Sequence, residues 1–395
     1  MSGLRCGWEG STTIGDKRLR RAPGFGLLAK LRRINWLYVL LICLLGGVGY
    51  GALYSAAGGA ARPYALPQTV RFGFGLAMTL CLALVSPRVL IRLAWPLHAG
   101  SLLLLAAVLH MGHVGKGAER WIVVAGMQMQ PSELAKITLV MALAAWFHRL
   151  RWDRIGNPLF LLPPALMVLA TVVLVLREPN LGTAAIIGVL GASLFVAAGM
   201  RLWQMVLLVA PLPLLGRLVY AHLHDYQKAR IITFLHPQSD KLGAGYNIIQ
   251  SKIALGSGGV WGQGYLHGTQ GQFDFLPEKQ TDFIFTTLAE EFGLVGGISV
   301  MALLLLLVLG GMLMALRARN QFSRLLALGI SMNFFLYCAV NLSMVMGAIP
   351  VGGVPLPLIS YGSSAMLTVM FGFGLLLSVY VHRDLHFDQQ ERDKD

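Results

Sequence analysis

"FLPEKQTDFIFTTLAEEFGLVGGISVMALLLLLVLGGMLMAL", residues 275 to 316, decides the fold. It opens polar and Pro-bearing, passes Asp282, and from there turns apolar and stays largely so to Leu316. A helix that crosses a bilayer needs about 20 mostly apolar residues, and residues 292–316 supply them. Nine further stretches of this kind lie near 35–56, 69–86, 93–112, 132–147, 159–177, 183–200, 202–219, 325–346 and 361–381. Length alone, 395 residues, suggests two or three soluble domains. Composition overrules it, because 56% of the chain is hydrophobic and only 13% charged. The expected fold is an all-α polytopic membrane protein of about ten transmembrane helices.

The net charge of +14 is not a nucleic-acid signature, since no basic stripe with interleaved aromatics is present. Its placement follows the membrane instead. With the N-terminus inside, 20 of the 32 Lys and Arg fall on one side, including the clusters at 17–21 and 30–33 beside the first span. The positive-inside bias then puts both termini in the cytoplasm. The first 33 residues lack an early apolar core, so span one is expected to be a retained anchor rather than a cleaved signal. The expected organisation is a basic cytoplasmic tail at 1–33, a membrane domain at 34–382 and a cytoplasmic tail at 383–395. Cys6, Cys43, Cys81 and Cys338 show no pairing or zinc-ligand spacing, and no metal site is expected from them.

One outer loop, about 220–291 between spans seven and eight, is far longer than the rest, and long loops in compact proteins usually carry function. Within it Tyr246–Leu255 has the pattern of an amphipathic helix, with Lys252 on it. A glycine run follows, Gly256, Gly258, Gly259, Gly262, Gly264 and Gly268. It lacks the Gly-Lys-Ser/Thr ending of a nucleotide-binding loop, and glycines that simply permit tight turns explain it as well. A second outer segment, "GKGAERWIVVAGMQMQPSELAK", leads into span four. Pro131 suits a first helical turn. Glu133 and Lys136 then share a helix face, either as a site facing a wet cavity or as an ion pair locking two helices. Arg71 opens span two, where snorkelling to the interface is the ordinary explanation. Glu290 and Glu291 read as acidic residues at a helix N-terminus.

The strings "GAERW", "QPSELAK", "EPNLGTA", "GAGYNIIQSKIALGSGG", "GTQ", "FLPEKQTDFIFTTLAEEFG", "GVPLPLISYGSS" and "FGFG" occur in order from about residue 34 to 383. Together they resemble the SEDS proteins (shape, elongation, division, sporulation), and "GTQ…FLPE…TDF" leans towards the RodA, or elongation, branch. That resemblance implies ten spans and a glycosyltransferase that polymerises lipid II into peptidoglycan at the outer membrane face. It makes Asp282 the catalytic candidate and carries Glu133, Lys136, Arg120 and Ser360 into the substrate-binding set. It also implies a class B penicillin-binding protein, a single-span transpeptidase, as partner. The sequence departs from the family pattern at Asn180, where Asp is usual, at Gln280, often His, at Gly352, commonly Thr, and at Ser363, where the family has Gly.

Joining a sugar 4-hydroxyl to an anomeric carbon that carries a polyprenyl diphosphate calls for inversion, a carboxylate base and cations at the departing diphosphate. Both substrates are lipid-tethered, so those groups belong where headgroups meet hydrocarbon. Asp282 stands at such a boundary, where partial desolvation makes a carboxylate a better base; capping the eighth span explains its position equally well without the resemblance. Lys136 and Arg120 are the expected diphosphate contacts, Glu133 holds Lys136, and Lys252 and Lys279 are further anion contacts from the loop. A divalent cation, Mg or Mn, bridging Asp282 or Glu133 to the diphosphate fits the chemistry, though no ligand cluster demands one. Two rival readings stay open. A lipid-linked-sugar flippase needs ionisable groups near the midplane in repeated, broken helices. A scaffold that merely holds a synthase needs no Asp282 at all.

Overall fold

The computed structural model of the chain describes residues 26–111, 113–115, 118–124, 127–150, 157–178, 180–201, 244–269, 276, 278–350 and 352–385, with scattered positions between 203 and 236. A short helix, α1 (Leu27–Arg33), precedes α2 (Trp36–Ala56), α3 (Ala65–Ala83) and α4 (Pro87–Met111). Three short strands follow, β1 (His113–Gly115), β2 (Ala118–Val124) and β3 (Met127–Met129). Then come α5 (Pro131–Arg149), α6 (Pro158–Arg177), α7 (Leu181–Ala197), α8 (Ala244–Ser257), α9 (Ile284–Arg317), α10 (Gln321–Val345) and α11 (Ser363–Val381). Nine of the ten apolar stretches fall on helices; the stretch at 202–219 lies largely outside the described residues.

Local chemistry sets the helix starts. Asn35, Asn157, Asn180 and Asn320 each accept a backbone N–H from the first turn that follows, at α2, α6, α7 and α10. This is the ordinary work of an N-cap side chain, supplying an acceptor to an orphan donor. Asn180 therefore has a structural task, and as a capping acceptor it does what an aspartate there would do. Pro131 and Pro158 stand in first turns, where a missing N–H costs nothing.

Six helices, α2, α4, α6, α9, α10 and α11, are long and apolar enough to cross a membrane, and α7 is apolar but shorter. The polar groups of α3 and α5 face protein rather than lipid. On α3, Gln68 donates to Ser360 O at 3.0 Å and Thr79 to Met370 O at 2.8 Å. Sixteen of the 19 residues of α5 are buried, because α4, α6, α7, α10 and α11 pack around it. A helix sheathed this way can carry charge that a lipid-facing helix cannot. Packing of α3 on α11 is close because Gly75 and Gly374 face one another's helices. A Cβ on Gly75 would stand 2.6 Å from Met370 Sδ, and one on Gly374 would stand 2.7 Å from Leu82 Cβ.

The strands were not anticipated. They form one antiparallel sheet in the order β1-β2-β3, with Ile122 opposite Met129, and lead directly into α5. Their runs of three to seven residues satisfy their backbone groups on each other, a local solution that a search for long apolar runs does not detect.

The deciding stretch also differs in detail from a plain span. Helix α9 breaks at Gly293, whose φ of 65° and ψ of −161° are not helical. The long apolar arm starts after the break, close to the expected residue 292. The short arm, 284–292, is almost wholly buried. Residues 258–264 form a hook that docks on this break through the backbone. Gln263 N donates to Glu290 O and Gly264 N to Glu291 O, each at 3.0 Å, while Leu294 N donates to Gly259 O at 2.9 Å. A Cβ on Gly262, where φ is +85°, would lie 2.1 Å from Glu291 O. The glycine run thus serves close backbone approach.

At the far end of the bundle the described ends of the chain meet. Arg33 Nη1 lies 3.3 Å from Asp384 Oδ2, Lys30 donates to Leu84 O at 2.9 Å, and Asn320 donates to Leu385 O at 3.4 Å.

Candidate active site

Asp282 lies in a turn, 278–283, at the end of the bundle opposite the meeting termini. The turn forms because backbone donors close on nearby carbonyls: Lys279 N on Leu276 O, and Thr281 N and Phe283 N on Glu278 O. Thr281 Oγ1 adds a bond to the Glu278 carboxylate at 2.8 Å. Two contacts tie the turn to the rest of the protein. Tyr361 N donates to Gln280 O at 2.8 Å, and Asn341 Nδ2 donates to Asp282 O at 2.9 Å. Asp282 itself is half-buried. Its carboxylate faces Gly353, where a Cβ would come 3.8 Å from Oδ2 and where φ is +65°. The N-cap residue of α9 is Phe283, and Asp282 stands one position before it.

Glu133 and Lys136 come together as the shared helix face predicts, but inside the protein. Lys136 Nζ is 2.8 Å from Glu133 Oε1, and the two residues are 1% and 5% exposed. Tyr337 of α10 closes the group: its hydroxyl accepts from Lys136 and donates to Glu133 Oε2, and Lys136 Nζ sits 4.1 Å from the Tyr337 ring centroid. The sequence left open a site facing a wet cavity or an ion pair locking two helices; in this structure both charges are sealed and mutually satisfied. Pairing and hydrogen bonding are what make such burial tolerable.

The remaining expected residues are spread around the Asp282 end. Lys279 is half-buried in the Asp282 turn itself. Lys252 is exposed on α8 and lies over Gly347, at the C-terminal end of α10, where a cation favours the helix dipole. Ser360 is buried: its Oγ accepts from Leu356 N at 2.8 Å and its carbonyl accepts from Gln68. Both acceptors hold the 356–360 turn in place. Arg120 lies on β2, and its side chain falls outside the described residues. Glu290 and Glu291 are corrected. They are 0% and 2% exposed at the buried end of the short arm of α9, where Thr269 donates to Glu290 at 3.2 Å and Ser55 donates to Glu291. Among the described residues no group of three or more His, Cys, Asp and Glu converges as a metal site. Glu133 is taken up by Lys136 and Tyr337.

Sequence reasoning missed two participants. Arg71 does not simply snorkel, because its guanidinium lies 5.1 Å from the Tyr361 ring centroid, beside the residue that binds Gln280. Asn341 gave no signal beyond being a polar residue inside an apolar run.

The family model FTSW_RODA_SPOVE, described as cell cycle protein, matches residues 35–385. Peptidoglycan glycosyltransferase MrdB of Escherichia coli (strain K12) is 40% identical over 328 residues, covering 80% of this chain and 85% of its own. The probable peptidoglycan glycosyltransferase FtsW of Trichlorobacter lovleyi is 36% identical over 365 residues, covering 89% and 94%. Among solved structures, a chain from a study of how a peptidoglycan synthase complex coordinates polymerization and crosslinking superposes with a TM-score of 0.77 at 32% identity, over 89% of this chain and 99% of that one. The rod shape determining protein RodA of Thermus thermophilus superposes with a TM-score of 0.67 at 30% identity, over 89% and 98%.

Proposed function

The chain belongs to the SEDS family, that of FtsW, RodA and SpoVE, and from that premise we propose how its own residues carry out the reaction. It is a polytopic membrane protein and a peptidoglycan glycosyltransferase. The substrate is lipid II, engaged at the end of the bundle that carries Asp282. The acceptor 4-hydroxyl oxygen attacks the anomeric carbon of the donor, and its proton passes to the Asp282 carboxylate. The bond from that carbon to the diphosphate breaks with inversion, and the polyprenyl diphosphate leaves with the electron pair. One observation carries this reading: a half-buried carboxylate that faces Gly353, in a turn fixed by backbone contacts, immediately before a long apolar helix.

Cations near the rim, Lys279, Lys252, Arg120 and Arg71, meet the diphosphate. Lys136 lies deeper, one helical turn below Asn341 by way of Tyr337 on α10. It reaches the diphosphate once Tyr337 swings aside, and Glu133 keeps it charged until then. Ten spans, a 220–291 loop on the outer face and cytoplasmic tails at 1–33 and 383–395 complete the topology. The contact of Arg33 with Asp384 supports termini on one side. A class B penicillin-binding protein is the partner, supported by the likeness to a synthase complex that couples polymerization and crosslinking.

Purified full-length protein with lipid II, scored for glycan polymer, tests the reaction. Movement of lipid II across a vesicle wall without polymer would favour the flippase. Cysteine labelling tests the topology: Gln263 should label from outside intact cells and Gln390 should not.

A further inference from the structure

We propose that Asn341 is a positioning residue: its single buried amide holds the Asp282 turn and the Gly353–Val354 segment in one fixed relation. The inference rests on Asp282 being the base. Asn341 is 0% exposed on α10, and its Nδ2 donates to Asp282 O at 2.9 Å and to Val354 O at 2.8 Å. Both partners are carbonyls, which only accept, so the orientation of the amide is forced and both of its N–H donors are used. Neither carbonyl belongs to a helix. Asp282 precedes the N-cap of α9, and Val354 lies in the irregular 352–356 segment. Without the amide the buried Val354 carbonyl would lose this partner in the interior, a costly condition.

The two bonded residues bracket the reactive group. One is the backbone of Asp282 itself. The other adjoins Gly353, the residue that the carboxylate faces. Both oxygens bond one nitrogen, at 2.9 and 2.8 Å, and that shared anchor sets their separation and so the place of the carboxylate. The amide is not there for its own stability, because Asn341 Oδ1 has no hydrogen-bond partner among the described residues. A leucine of similar size would leave no buried orphan oxygen of its own. Tyr337 stands one turn away on the same helix face, so α10 carries the ties to both Asp282 and the Glu133–Lys136 pair.

The test uses the full-length protein with Asn341→Leu, steady-state lipid II polymerisation and amide hydrogen exchange read by mass spectrometry. Misplacing a reacting group by a fraction of an ångström costs rate rather than binding, so kcat should fall roughly 10- to 100-fold with KM nearly unchanged. Exchange should quicken at the bonded N–H groups of Lys279, Thr281 and Phe283 and of Gly352 and Leu356, and stay as it was in 131–149. Unchanged kcat, or unchanged exchange at 278–283, would overturn the proposal. So would an acceleration spread evenly through the bundle, the mark of a merely structural residue. If Asn341→Leu does not fold, Asn341→Ser, which keeps one donor, is judged by the same criteria. Asp282→Asn is assayed in parallel: wild-type polymer from it would overturn the base assignment alone, while the exchange pattern still decides whether Asn341 holds the turn.

Discussion

The two ends of the bundle are held together by different means. Where Asp282 lies, the chain meets itself backbone to backbone: the 258–264 hook bonds across the break in α9, and Tyr361 N reaches Gln280 O. Where the termini meet, side chains do most of the joining, Lys30 to Leu84 O and Arg33 to Asp384, the latter pair being 32% and 49% exposed, beside one backbone bond from Arg319 N to Arg383 O. Backbone docking fixes geometry closely and tolerates almost no added atom, as the glycines there show. An exposed ion pair contributes about 0–1 kcal/mol and accepts substitution readily. Rigidity is thus concentrated where the chemistry is proposed, which is what positioning a reacting group requires.

The sharpest way to break that contrast is at Asp282. Asp282→Asn keeps size and polarity but cannot take the proton, so polymerisation should fall by roughly two orders of magnitude or more. Since Asp282 is not the N-cap, folded yield should hardly change. Binding of lipid II should survive, because the proposed role lies in the transition state. Near-normal polymer from the purified variant, free of other synthases, would leave this end of the bundle rigid for some other reason.

Next in size is the sealed pair. Lys136→Met strands a buried carboxylate, a loss of about 3–5 kcal/mol, and should abolish activity. The double variant Glu133→Gln with Lys136→Met removes both charges and should regain most of the stability, as read by thermal unfolding. Activity should stay lost, because the cation is gone. An active double variant would reduce the pair to a structural lock and move the cation role wholly to the rim.

How much of this was legible in the sequence follows from what each feature depends on. Spans were visible because apolar length is a local property. The Glu133–Lys136 contact was visible because three residues along a helix is a fixed geometry. Asp282 was set apart by the resemblance, not by its own neighbourhood. What stayed hidden depends on partners far away in the chain. The burial of Lys136 needs Tyr337, 201 positions on. The acceptor role of Ser360 Oγ for Leu356 N depends on how the 356–360 turn folds. The glycine run was read as permitting turns, whereas its closest constraint is the α9 backbone across the hook.

That constraint gives a smaller effect. Gly262→Ala puts a Cβ against Glu291 O at a left-handed position, and should cost about 1–3 kcal/mol. Gly256→Ala is the matched control, since nothing lies within 4 Å of its Cβ and its φ is not positive. Thermal unfolding should separate the two, with Gly262→Ala also losing part of its polymerase rate as the short arm of α9 shifts. Equal melting of both variants would mean that the hook is not held at the break.

The smallest expected effect belongs to the other end and is read against pH. His382 is buried just beyond α11. One ring nitrogen, Nδ1, lies 3.0 Å from Ser378 O, an acceptor, so Nδ1 carries the proton of the neutral ring; Nε2 is buried without a partner. Burial, the largest influence, lowers the imidazole pKa below 6.5, the Ser378 bond opposes it, and the positive charges of Lys30 and Arg33 lower it further. A group with a depressed folded pKa gains its proton more readily in the unfolded chain. Its contribution to stability is whole above about pH 6.5 and is lost as pH falls from there through the folded value. His382→Gln cannot titrate, so its melting temperature should decline less than the wild type's between neutral and mildly acidic pH. Polymerase activity at neutral pH should be unaltered. Parallel pH profiles would show that His382 is already free to charge in the folded protein, and that the terminal end is looser still than its side-chain ties suggest.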